Sequence, residues 1–160
     1  MRGNPPSPML QEELIGFAAK ASYIGNYGAN DLDQRRGNGV LWGNSSIRQQ
    51  DLVDGTTVTF MAGERPMSAG PAAWAGVHYN QTTAMAGAMS ASANNGRFVL
   101  GSTGAGLPVA PHEWGFGSAH VGGVHMLLCD GAVKFLSENV DSETWNNLGN
   151  RMDRGTVGDF

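Results

Sequence analysis

Four soft metal ligands, His112, His120, His125 and Cys129, fall within eighteen positions of one another. Zinc sites draw such groups from a few standard spacings, and this set matches none of them. On a strand His125 and Cys129 would lie about 13 Å apart, beyond the reach of one ion, so the spacing assigns no metal. Ser118 stands two residues before His120, as a nucleophile might beside its base. The nucleophile elbow Gly-x-Ser-x-Gly fails, however, because Phe116 and His120 occupy the flanking positions. The run Gly101-Ser102-Thr103-Gly104-Ala105-Gly106 has the glycines of a phosphate loop, but Leu107 replaces the lysine, and a flexible loop is the expectation. No catalytic motif is complete, so catalysis is not expected. Trp42, Trp74, Tyr79, Trp114 and Phe116 could stack on sugar rings or on a partner protein, although aromatics in a domain of this size are more often core. Trp114 and Phe116, in a Gly/Pro-rich connection, are the candidates for ligand contact.

These residues must be positioned by a chain of 160 residues with 24 glycines and only 15% charged side chains. Glycine at about twice its usual share of roughly 7% implies many turns and irregular connections. One domain is expected, large enough to fold without staples. The formal charge of -4, with Arg35-Arg36 the only adjacent basic pair, leaves too little positive charge to follow a nucleic-acid backbone. A single cysteine allows no internal disulfide, and a buried, inert thiol is expected. The chain shows neither a membrane span nor the apolar core of a signal peptide.

Residues 1–20 read as an extension with a helix from about Pro8 to Lys20, opened by Ser7-Pro8. A short strand over Ser22 to Gly28 follows, then a polar loop and a strand at Val40-Leu41-Trp42. After the turn signal Asp54-Gly55, alternation of Val58, Phe60 and Ala62 with Thr57, Thr59 and Met61 predicts a strand ending near Gly63-Glu64. Ala72 to Tyr79 is a further strand, Gln81 to Gly96 a variable loop, Phe98-Val99-Leu100 a short apolar segment, and Gly101 to Gly117 a long connection that could carry a binding edge. Asp141 is a good N-cap, Glu143 opposes the dipole and Gly149 supplies the stop, giving a helix over about Ser142 to Leu148.

The strongest local signal is a β-hairpin over Val124 to Ser137, turned at Asp130-Gly131. A two-residue type I′ turn pairs Cys129 with Ala132, Leu128 with Val133, Leu127 with Lys134 and Met126 with Phe135. Val124, Met126, Leu128, Val133 and Phe135 then share one apolar face, which is expected to be core. Phe135→Ala would on that register cost about 3–5 kcal/mol.

Phe116 to Val124 followed by Cys129 to Glu138 resembles the H-X9-DG signature of the DUF1559 proteins, pseudopilin-like proteins abundant in planctomycetes, with His120 and Asp130 at the signature spacing. Ser22 to Gly28, Asn44 to Arg48, Asp54 to Thr59, Gly63-Glu64-Arg65 and the terminal Gly158-Asp159-Phe160 follow the same family's order, so the resemblance covers about 21–160. It implies an α+β fold, mostly antiparallel β: a pilin-like globular head with short helices and long Gly-rich loops. It also implies structural roles for His120, Asp130, Gly131, Glu138, Asp54, Gly55 and Glu64. The implied function is non-enzymatic, as the head of a type IV pilin-like or type II secretion pseudopilin-like protein at the cell surface, outside the cell or in the periplasm, with protein partners in a pilus or pseudopilus. The prepilin cleavage site and hydrophobic helix of that family are missing from this chain, so a head without its own signal or anchor, and a monomer or weak oligomer, are expected. His125 stands where family members often carry asparagine, and no role passes to it. Calcium is raised by pseudopilins that bind it in a loop, but Asp31-x-Asp33 continues into Arg35-Arg36 rather than further oxygen ligands, so no cofactor is expected. The alternatives are a secreted module that binds a glycan or protein through exposed aromatics, and a secreted hydrolase. Along the hairpin His120 and Asp130 would lie roughly 20 Å apart, so His120 is expected to anchor the hairpin base toward Ser137 and Glu138 while Asp130-Gly131 makes the turn.

Overall fold

Asp130-Gly131 does turn a hairpin, but by a different device from the one its dipeptide suggests. The computed structural model describes residues 20–32, 34, 36–69, 72–73, 99–108, 112, 114–158 and 160. In it β6 (Gly123–Leu128) and β7 (Val133–Ser137) are antiparallel. A type I′ turn needs positive φ at both central residues. Here Gly131 has φ 92°, and Asp130 is not among the residues with positive φ. Gly131 N–H donates to the Leu128 carbonyl at 3.1 Å and Leu128 N–H to the Ala132 carbonyl at 2.8 Å, so Cys129, Asp130 and Gly131 form a three-residue loop with glycine at its left-handed position.

The extra loop residue moves the register by one. Leu127 pairs Val133, Met126 pairs Lys134, His125 pairs Phe135 and Val124 pairs Leu136. Because side chains alternate, a one-residue slip turns every side chain of β7 over. Leu136 therefore joins Val124, Met126 and Leu128 in the core, whereas Val133 is 63% and Phe135 47% exposed. The expectation that Phe135 is core is corrected. Phe135→Ala is now expected to cost about 1 kcal/mol and Leu136→Ala about 3 kcal/mol. Urea midpoints of the two variants check this, and the reverse order would contradict the register. Lys134, turned toward the core side at the sheet edge, keeps its Nζ in water 4.0 Å above the Phe160 ring.

The remaining strands complete an α+β fold. β1 (Lys20–Ala21) pairs β4 (Ala72–Ala73) in a two-stranded ribbon. The main sheet has the order β5-β2-β3-β6-β7, with β2 (Tyr23–Gly28), β3 (Phe60–Glu64) and β5 (Leu100–Ser102). Only the β2–β5 pair in it is parallel. Helix α1 (Ser142–Gly149) packs on the sheet through Trp145 and Leu148, which join Ile24, Phe60, Phe116, Met126 and Leu136 in the core. The Asp141 carboxylate accepts the Thr144 N–H at 2.9 Å. That bond, first among several backbone contacts, holds its carboxyl below the ordinary range, as expected of an N-cap.

Val40-Leu41-Trp42 is not a strand. Val40 and Leu41 N–H both converge on the Asn26 carbonyl, so the segment is held at one point rather than along a ladder. The expected helix at 8–20 lies outside the described residues except at Lys20, as do the loop at 81–96 and all of the expected 72–79 strand beyond Ala73. Among the described residues no helix is long and apolar enough to cross a membrane.

Candidate functional site

On the side of the sheet away from the core, a row of side chains crosses four strands. Tyr23 on β2 is paired with Glu64 on β3, and His125 on β6 is paired with Phe135 on β7. A bulge joins the two halves of the row. Between Phe60 and Ala62 the β3–β6 register shifts by one, so that Gly63 rather than Ala62 stands opposite Met126. Plain alternation from Phe60 would have carried Glu64 onto the core side. The added residue re-aims it outward, a common use of bulges beside functional sites. Gly63 is then forced small, because a Cβ there would lie 2.2 Å from Met126 Sδ and 2.7 Å from Phe116.

Glu64 is the hub of the row. Its Oε2 accepts the His125 backbone N–H at 2.8 Å and lies 3.3 Å from His125 Nδ1. Its Oε1 lies 3.4 Å from His120 Nε2 and accepts from the Tyr23 hydroxyl at 3.4 Å. Burial alone pushes the carboxyl up, but the His125 N–H, the Ser118 hydroxyl and the His125 ring together hold it below its ordinary value. The anionic form is thus fixed by donors before any partner arrives. The two imidazoles meet edge to face at 5.0 Å, and His125 meets Phe135 likewise at 5.0 Å. Glu64 is 12% exposed, His120 56% and His125 38%, so the carboxylate lies deep and the rings face solvent. The described residues bring one set of three metal-ligating side chains together, Glu64, His120 and His125, with all ligand atoms within 4.8 Å of one another.

The His120 ring does not reach Ser137 or Glu138 to anchor the hairpin base; its Nε2 lies 3.4 Å from Glu64 Oε1 instead. Glu138 closes the base through its own N–H to the Gly122 carbonyl at 2.8 Å. Asp130 occupies the opposite end, its Oδ1 accepting the Ala132 N–H at 2.9 Å, with Gly131 beside it in the turn. Asp54 receives the Asp153 and Arg154 N–H groups at 3.0 and 2.8 Å, and Gly55 makes the adjoining turn with φ 105°.

The hydrolase reading needs a hydroxyl on an imidazole that a carboxylate orients. Ser118 Oγ instead accepts the His120 backbone N–H at 3.1 Å, and among the described residues no hydrogen bond joins it to an imidazole nitrogen. Of the candidate ligand contacts, Phe116 is 1% exposed in the core, which corrects that expectation. Trp114 is half-buried, its carbonyl taken by the Ser102 N–H at 2.8 Å. Trp42 lies beneath the Arg151 guanidinium, 5.0 Å from the ring centroid. Trp74 and Tyr79 lie outside the described residues.

A concavity of about 460 Å³ elsewhere on the domain is lined by Val40, Ile47, Leu52, Met61 and Cys129 among others. Burial, with the Asp130 charge adding to it, pushes the Cys129 thiol up to about 11, so it is protonated at neutral pH and a poor nucleophile.

Glu64 and His125 are neighbours only through the bulge, and a strand pattern read one residue at a time does not reveal it. The usable signal was a carboxylate at the end of β3 and two histidines flanking the start of β6. In comparisons with known proteins, residues 17–143 match the profile of a family described as protein of unknown function (DUF1559). No curated protein and no solved structure matches the chain.

Proposed function

Since the chain belongs to the DUF1559 family, we propose that this domain is the head of a pilin-like protein displayed at the cell surface, acting through contact between protein faces. The observation that carries the reading is the composition of the β7 edge. Among the described residues β7 is the last strand of the sheet, and an edge strand offers unpaired backbone donors and acceptors to another chain. Along it Val133 and Phe135 stand exposed, and Val121, just before β6, is 98% exposed. Exposed apolar side chains beside an edge strand suit a face that contacts another protein.

Brief trypsin treatment of intact cells carrying the native gene tests the reading. Peptides of this domain are expected in the supernatant before lysis, identified by mass spectrometry. Their recovery only after lysis would overturn surface display.

A further inference from the structure

We propose that Glu64, His120 and His125 bind a divalent transition-metal ion of the zinc class, as three protein ligands with a remaining coordination position open to water or to a partner's side chain. The observation behind it is the convergence of the three ligand atoms within 4.8 Å of one another. Charge-assisted N–H···O contacts close to about 2.7–2.9 Å. Here the imidazole nitrogens stand 3.3 and 3.4 Å from the Glu64 oxygens. Ligands about 2.0–2.1 Å from a tetrahedral centre are themselves about 3.3 Å apart. The two Glu64–imidazole separations, one on each carboxylate oxygen, suit edges of a coordination shell, and an ion would draw together three ligand atoms that already lie within 4.8 Å of one another.

The three ligands come from different parts of the chain: the end of β3, the loop before β6, and β6 itself. Two of them are held independently of any ion: Glu64 by the His125 backbone N–H at 2.8 Å, and the His125 ring edge-on by Phe135. Such outer partners orient metal ligands and keep the site pre-formed. Two imidazoles and one carboxylate suit zinc, copper, nickel or iron rather than calcium or magnesium, which prefer all-oxygen shells. Three protein ligands with one open position is the pattern of exchangeable or catalytic sites rather than of closed structural ones. The exposed rings of His120 and His125 leave a path for entry.

Isothermal titration of zinc chloride into the untagged chain, in a buffer that does not chelate, tests the proposal. One ion per chain is expected, with calcium and magnesium failing to compete. Cobalt added in its place should give the intense visible bands of a four-coordinate site. His120→Ala, His125→Ala and Glu64→Gln should each weaken zinc binding at least about tenfold, while His112→Ala leaves it unchanged. Glu64→Gln keeps an acceptor for the His125 N–H, and His120 is largely exposed, so these two variants should retain the wild-type circular dichroism spectrum. Absence of zinc binding by the wild-type chain would overturn the site. So would undiminished binding in folded His120→Ala or Glu64→Gln, loss on His112→Ala, or displacement by equimolar calcium.

Discussion

Trp145→Ala is expected to destabilise the domain by about 4 kcal/mol, a large share of the total for a chain of this size. α1 has eight residues and is too short to persist by its own hydrogen bonds. It is held to the sheet mainly by Trp145 and Leu148, 1% and 0% exposed. The indole ring lies 5.3 Å from Phe60 and meets Phe116 edge-on at 6.1 Å, and its N–H donates to the Gly106 carbonyl at 3.1 Å. Alanine would leave a void bordered by two aromatics whose backbones are fixed in or beside the sheet, so the site cannot collapse to fill it. Trp145→Phe should recover more than half of the loss by restoring most of the volume. Urea unfolding followed by far-ultraviolet circular dichroism measures both. A loss below about 1 kcal/mol for the alanine variant would mean that the helix is not docked through this ring.

The second large effect concerns a polar residue. Asn26 is 0% exposed. Its Nδ2 donates to the Phe60 carbonyl at 2.9 Å and to the Gly149 carbonyl at 2.8 Å, and its Oδ1 accepts the Gly28 N–H at 3.0 Å. One amide thus ties β2 to β3 and satisfies a carbonyl at the C-terminal end of α1. Asn26→Asp keeps the shape but replaces the double donor with an acceptor facing two carbonyls, and is expected to cost about 4 kcal/mol at pH 7. The introduced carboxyl is destabilised when ionised, so its folded-state pKa lies above the unfolded value of about 3.9. The penalty therefore grows as pH rises from the unfolded pKa towards the folded one, and is least below both. The stability deficit relative to wild type should shrink between pH 7 and pH 4. A deficit that stays constant over that range would show that the carboxyl is solvated and that Asn26 is not the buried tie described.

What the sequence revealed follows the range of the interactions. The Asp130-Gly131 turn, the Asp141 cap and the strand at 23–28 depend on neighbours within a few residues and stand where expected, whereas the strand read from the alternation at Thr57-Val58 begins only at Phe60, after a 3-10 turn at Thr56–Val58, and its alternation is broken by the bulge. The hairpin register also departs from expectation, because Asp-Gly serves both a two-residue and a three-residue loop. The choice is made elsewhere, where Thr59 and Thr56 carbonyls take the Cys129 and Asp130 N–H groups and Leu136 fills the core. The family resemblance, carried by the H-X9-DG spacing, matched the profile comparison. That same spacing drew attention to His120 with Asp130, which sit at opposite ends of the hairpin, and away from His120 with Glu64, 56 positions earlier. Asn26 and Arg65 were invisible for a related reason. Arg65 is 1% exposed and donates to the Gly115 and Leu100 carbonyls, and nothing local to Arg65 announces a buried cation.

The position of β2 has a mechanical consequence. The first strand of the main sheet is an interior strand, with β5 on one flank and β3 on the other. Ladder hydrogen bonds run across strands, not along them. Tension that has passed the short β1–β4 ribbon and reaches β2 at Tyr23 would therefore shear both ladders together, instead of peeling one bond at a time as at an edge. Resistance to such a pull is set by the unfolding rate and not by equilibrium stability. A domain tethered from that side would give way late under load.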